Sequence, residues 1–230
     1  MSIVLVGGGP DTTRNDGCIA PFIEACKTSK VSHVGLFLAG DSTSAEHFAP
    51  DYLRLLDEID GVIDVVPLDE GYGDIARFDA IVVGGGPVPV YHAALESALT
   101  TVRDLVQSGT PYLGFSAGAM IASELAIIGG YMSAGIDVCS AEWSEGLNEV
   151  TVGPGIGIVP WSVEVHAAQA GTLGRVLDVV AAGIVESAVA LDEDTALHVD
   201  ADGSHHVLGS GRAWWVSYDE GSARVSPCTS

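Results

Sequence analysis

The chain of 230 residues carries 31 acidic against 9 basic side chains, a formal charge of −22, with Lys27 and Lys30 its only lysines. Such a field repels nucleic acid and anionic lipid and offers no basic patch to phosphate, so neither a nucleic-acid partner nor a membrane partner is expected. The length suits one α/β domain over 1–230, and Cys18, Cys26, Cys139 and Cys228 lack metal-like or disulfide-scaffold spacing, so no metal is expected.

No apolar run reaches the roughly 18 residues of a membrane span, and the chain opens on a strand rather than a signal-type segment, which reads as soluble and cytoplasmic. Residues 2–6 are a continuous apolar, β-branched run that stops at Gly7-Gly8-Gly9-Pro10, the form of a buried parallel strand feeding a loop. The pattern then predicts a helix over 19–27, a strand over 34–38, a helix over 44–59 capped near Ser44, and a strand over 62–68. A strand over 80–83 runs into Gly84-Gly85-Gly86-Pro87, and an amphipathic helix over 90–107 ends at Gly109. Residues 112–115 read as a short buried strand, and the apolar pattern of 121–126 continues as a helix, so Ser116 falls at the corner between them. Beyond Gly129, runs rich in Val, Ile and Gly over 153–165 and 188–217 read as shorter strands and hairpins around one helix over 167–182. No linker or repeat separates this half, which is expected to extend the same sheet, and Trp214-Trp215 reads as packing within a late strand.

Strands alternating with helices predict right-handed crossovers and an α/β fold with a mostly parallel sheet covered by helices on both faces. Ligands of such sheets bind beyond the carboxyl ends of the strands, where the clusters at Gly7, Gly84 and Gly114 all lie. None of the clusters continues as a dinucleotide fingerprint or a P-loop, so no nucleotide cofactor is expected.

The stretch Gly114-Phe115-Ser116-Ala117-Gly118-Ala119 is a G-x-S-x-G nucleophile elbow. Small residues flank the serine because strand and helix backbones approach closely there, and the Ala117 N–H at the helix start faces any oxyanion that forms. A serine needs a base and the base an orienting carboxylate. His166, at the end of the apolar run 162–165, is best placed, with His92 its rival. The acid comes from Asp192-Glu193-Asp194 between two apolar strands, or from Asp137.

The elbow, the Val83-Gly84-Gly85-Gly86 turn, Gly155-Ile156-Gly157-Ile158-Val159, Glu164-Val165-His166 and Leu191-Asp192-Glu193-Asp194-Thr195-Ala196 together resemble the peptidase E and cyanophycinase family of serine peptidases. The likeness covers about residues 80–218 and extends more weakly over the first 80. It implies a class I glutamine amidotransferase-like fold with serine in place of the nucleophilic cysteine. It also implies Ser116 as nucleophile, His166 as general base, and Glu193 as the orienting acid of the cyanophycinase branch, with Asp137 where the aspartyl dipeptidase branch takes its acid. Oxyanion donors would be the N–H groups of Gly86 and Ala117, since Pro87 has none. Gly85, Glu164 and Arg175 are the positions expected to meet substrate.

The sequence departs from the family where acidic substrates are bound. Arg175 alone remains on the helix past the histidine, Ala170 and Thr172 stand where substrate-facing arginines belong, and Glu164-Val165 replaces an Asp-Gln pair. The expected substrate is therefore a small neutral or cationic peptide or amide, with weak or no action on aspartyl dipeptides or cyanophycin. An esterase or amidase, or a non-catalytic binding relative, are the alternatives, and a homodimer is the default assembly.

Overall fold

The computed structural model describes residues 1–9 and 16–229; Pro10 of the first glycine cluster lies outside them. In chain order come β1 (Ser2–Val6), α1 (Asp16–Ser29), β2 (His33–Leu38), α2 (Ser42–Leu55), β3 (Val62–Pro67), β4 (Ala80–Val83), α3 (Val88–Leu95), α4 (Leu99–Gln107) and β5 (Tyr112–Phe115). They are followed by the single turn α5 (Ala117–Met120), then β6 (Leu125–Gly129), the ribbon β7 (Met132–Ser133) and β8 (Ile136–Asp137), β9 (Thr151–Pro154) and β10 (Ser162–Glu164). The chain closes with α6 (Leu173–Ala181), β11 (Ser187–Leu191), β12 (Thr195–Asp200), β13 (His205–Gly209), β14 (Arg212–Asp219) and β15 (Ser222–Thr229).

The described residues form a seven-stranded sheet in the order β13-β12-β1-β5-β4-β2-β3. The run from β1 to β3 is parallel, and β12 and β13 add antiparallel strands beside β1. Alternate residues of β1 point to opposite faces, so Ile3 and Leu5 join one apolar cluster and Val4 and Val6 another. Val4 and Val6 pack with α1 and α2. Ile3 and Leu5 pack with α3, α4 and the second half of the chain, where their cluster continues through Val163, Val189 and Val216. No helix among the described residues is long and apolar enough to cross a membrane.

Several expectations are corrected. The second half only partly extends the central sheet: β12 and β13 join it, whereas β10, β11, β14 and β15 form a sheet of their own in that order. The switch occurs at residues 192–194, where the chain leaves β11 in one sheet and starts β12 in the other. The helix past Ser116 stops at Met120, and 125–129 is a strand. Its cause is competition for carbonyls. The N–H groups of Ile156, Ile158, Gly157 and Gly155 donate to the carbonyls of Ile121, Ala122, Ser123 and Glu124 at 2.7–3.0 Å, which removes the acceptors a longer helix would need.

The amphipathic stretch 90–107 is broken by a 3-10 turn at Glu96–Ala98, where the Ser97 hydroxyl is bound to that of Tyr72. The helix expected from 167 starts at Leu173, because His166 and Gly171 are both left-handed and the Thr172 hydroxyl donates to Val165 O instead. Asp41, rather than Ser44, caps α2, its carboxylate accepting the Ser44 N–H at 2.9 Å.

Candidate active site

Ser116 sits between β5 and α5 with φ 51° and ψ −107°, a strained conformation for a side-chain-bearing residue that costs on the order of 1–3 kcal/mol. Its surroundings enforce it. The Ser116 N–H donates to Val6 O at 2.9 Å, its carbonyl accepts the Ala119 N–H at 2.9 Å, and the Gly118 N–H reaches Gly84 O at 3.2 Å. A Cβ on Gly114 would lie 2.5 Å from Gly118 O, and one on Gly118 only 2.2 Å from Val83 O. Both glycines of the motif are therefore required by backbone contact.

The end of β1 gathers the other two members. Gly7 O, next along the chain from Val6, accepts the His166 N–H at 3.1 Å, and Gly8 O accepts the Asp194 N–H at 2.9 Å. Three successive carbonyls thus hold the segments bearing Ser116, His166 and Glu193. Nothing larger than hydrogen fits at Gly8, where a Cβ would come 2.3 Å from His166 Cε1.

In the resulting arrangement Ser116 Oγ lies 3.1 Å from His166 Nε2, and His166 Nδ1 lies 2.8 Å from Glu193 Oε1. The histidine and glutamate side chains are 15% and 18% exposed, open enough to exchange protons and shielded enough for their mutual attraction to count. An ionised Glu193 can only accept, which assigns the proton to Nδ1 and leaves Nε2 free to accept from the serine.

Of the three acids in the turn, Glu193 alone faces the imidazole. Asp192 is buried and spent on structure: Oδ1 accepts from the Ala168 N–H and Trp214 Nε1, and Oδ2 from the Arg212 N–H. Glu193 itself is fixed on both sides, its N–H donating to Gln169 Oε1 and its carbonyl accepting the Thr195 hydroxyl, each at 3.0 Å.

Gly85 packs directly on Ser116, with a virtual Cβ 3.2 Å from that of the serine. Its amide does not point into the site, because it donates to the Tyr52 hydroxyl at 2.8 Å, while its carbonyl accepts from the Tyr91 hydroxyl. Burial pushes the Tyr52 phenol up to about 12, so it stays protonated. The amides of Gly86 and Ala117, in contrast, have no acceptor among the described residues.

Glu164 and Arg175, two of the positions expected to meet substrate, lie in the interior in this structure. They are 0% and 2% exposed and form a two-pronged ion pair, Nε to Oε2 at 2.7 Å and Nη2 to Oε1 at 3.0 Å. Arg175 Nη1 also donates to Gly130 O and Trp143 O. Ala170 and Thr172 are likewise buried. Asp137 lies on the exposed ribbon strand β8, while the Nδ1 it would serve is held by Glu193. His92 is occupied elsewhere, with Nε2 2.7 Å from Pro154 O.

Sequence reasoning missed Trp143, whose ring lies 5.0 Å from that of His166 at a 35° tilt. It also missed Tyr52, Tyr91 and Gln169. These come from other elements, and only their contacts single them out.

The sequence matches the family model of peptidase family S51 over residues 3–207. The chain belongs to that family. It is accordingly a serine-type peptidase. The crystal structure of a Listeria monocytogenes EGD-e protein described as a peptidase E superposes with a TM-score of 0.60 at 15% identity, covering 91% of this chain and 98% of that one. The likeness supports the shared mixed α/β fold. No match was found among the curated proteins.

The Glu164–Arg175 pair carries a stability prediction for this S51 chain. Arg175→Ala leaves a carboxylate buried without its counter-charge, a loss of about 3–5 kcal/mol. Urea unfolding measures it, and a loss below about 1 kcal/mol contradicts the interior role.

Proposed function

We propose that Ser116 is the nucleophile of this serine peptidase, sitting on the nucleophile elbow of a class I glutamine amidotransferase-like fold, with His166 as general base and Glu193 as the orienting acid. The observation that carries this reading is the continuous hydrogen-bonded path from Ser116 Oγ through His166 to Glu193. Ser116 Oγ attacks the scissile carbonyl as its proton passes to Nε2, and Glu193 stabilises the imidazolium that forms. The oxyanion is received by the N–H groups of Gly86 and Ala117, which have no acceptor among the described residues. The imidazolium then gives its proton to the leaving amine, the amine departs, and an acyl-enzyme remains. Water enters, loses a proton to His166 and attacks the acyl carbonyl; the Ser116 Oγ–acyl bond then breaks as the imidazolium returns its proton to Oγ, releasing the acid and regenerating the serine.

The substrate we infer is a small neutral or cationic peptide or amide. Recognition of an aspartyl side chain calls for guanidinium donors in the pocket, and the one arginine on the helix past the histidine is consumed by Glu164 in the interior. The −22 charge further disfavours the approach of an anionic substrate.

A fluorophosphonate probe tests the nucleophile. Wild type is expected to be labelled at Ser116 at pH 7–8 and Ser116→Ala to stay unlabelled; equal labelling of both places the reactive group elsewhere. A substrate assay tests the specificity. An Asp-Leu dipeptide is expected to turn over at well under 1 per second, and a kcat in the ordinary range of about 1–1000 per second contradicts the inferred preference.

A further inference from the structure

Glu145 is an acidic group beside the site that the reaction leaves unused. It lies two residues past Trp143, in the irregular segment between β8 and β9. Its backbone is left-handed at φ 58°, which L side chains rarely adopt and which invites a functional explanation. The segment is doubled back there. The Gly130 N–H holds Ser144 O at 2.8 Å, and a Cβ on Gly129 would come 2.7 Å from Glu145 Cβ. The carboxylate therefore projects from a fixed point rather than from a loose loop.

That point is between the two halves of the proposed machinery. Oε2 accepts the Val88 N–H at 3.2 Å, two residues beyond Gly86. On the other side the preceding Trp143 packs against His166. Arg175 and, more weakly, His166 attract the carboxylate through space while Glu164 repels it, and neither cation pairs with it. The Arg175 guanidinium is bound to Glu164, Gly130 O and Trp143 O, and His166 is engaged with Ser116 and Glu193.

Among the described residues no ammonium or guanidinium forms an ion pair with Glu145, and no donor reaches Oε1. Burial, the largest influence, raises its carboxyl above the ordinary value, a cost to the charged form that a nearby cation would offset. The residue is only partly buried, so a ligand can reach it.

We infer that Glu145 receives a cationic group of the substrate, an ammonium or guanidinium held at Oε1 while the scissile carbonyl lies over Ser116. This rests on the reading of Ser116 as nucleophile. It makes Glu145 a specificity-determining residue. The excess negative charge acts in the same sense, drawing cations toward the crevice.

Three p-nitroanilides test it: alanine with a free amine, N-acetyl-lysine, and N-acetyl-alanine, which has no cation. Wild type is expected to favour at least one cationic substrate over the neutral one by about 10–100-fold in kcat/KM, the range of a charge-assisted contact. The preferred substrate tells an α-ammonium from a side-chain one. In Glu145→Gln the preference is expected to collapse to within about threefold, mainly through KM. Equal use of all three by wild type, or a preference that survives in Glu145→Gln, overturns the inference, and survival leaves Glu145 as a cap of α3.

Should Glu145→Gln not fold, or the anilides not be cleaved, wild type alone decides by protection. n-Butylammonium is expected to slow fluorophosphonate labelling of Ser116 more than n-butanol at equal concentration; equal effects overturn the inference. Absence of any labelling at Ser116 is a different failure, that of the nucleophile reading itself.

Discussion

Three consecutive carbonyls at the end of β1 are the constraint on which the rest depends. Val6, Gly7 and Gly8 accept the N–H groups of Ser116, His166 and Asp194 in turn. These segments come from β5, from β10 in the second sheet, and from the connection between β11 and β12. Each is separated from the others in sequence by tens of residues. Hydrogen bonds to one rigid strand end fix their separations more tightly than side-chain packing alone would, because buried backbone groups left unpaired cost free energy. Glycine at positions 7 and 8 follows directly, since a side chain at either would collide with Asp192 O or with the imidazole.

The seam between the sheets gives the site its chemistry. A carboxylate next to a histidine in open water interacts weakly, whereas here both are largely shielded and aligned by partners outside the reaction path. Gln169 and Thr195 hold the Glu193 main chain, and Asp192 spends its whole carboxylate on the turn that presents its neighbour. Beneath them the Glu164–Arg175 pair anchors the Trp143 carbonyl, so that the indole resting on His166 is tied to the interior. Membership of family S51 and the shared mixed α/β fold leave open what the pocket takes.

Much of this was legible in the sequence where the determinants are local. The small residues around Ser116 are demanded by a strand-to-helix turn and therefore visible within five positions. Apolar runs ending in glycines gave away the parallel strands, and His166 stood out at a strand end, whereas Glu193 was one of three acids in a turn and was singled out only by the resemblance to the family. Long-range competition was not legible. The stretch 121–126 has a helical pattern, but the amides of 155–158 capture its carbonyls. Strand composition shows that 162–164 and 187–191 are strands without showing which sheet they join. Glu164 and Arg175 stand 11 residues apart, and nothing local reveals that they close on each other in the interior rather than opening on the pocket. Trp143 and Glu145 lie in a segment without periodicity, and only the packed chain brings them to the site.

The central claim is that Glu193 acts through His166 on Ser116, and a double-mutant cycle tests it most directly. The rate of serine acylation is measured for wild type, His166→Ala, Glu193→Gln and the double variant. Glu193→Gln is predicted to slow acylation by about 10²–10⁴-fold when His166 is present and to have almost no further effect when it is absent, the non-additivity of residues that work as one unit. Effects of the two substitutions that simply multiply would mean that carboxylate and imidazole act independently, and would contradict the proton path proposed here.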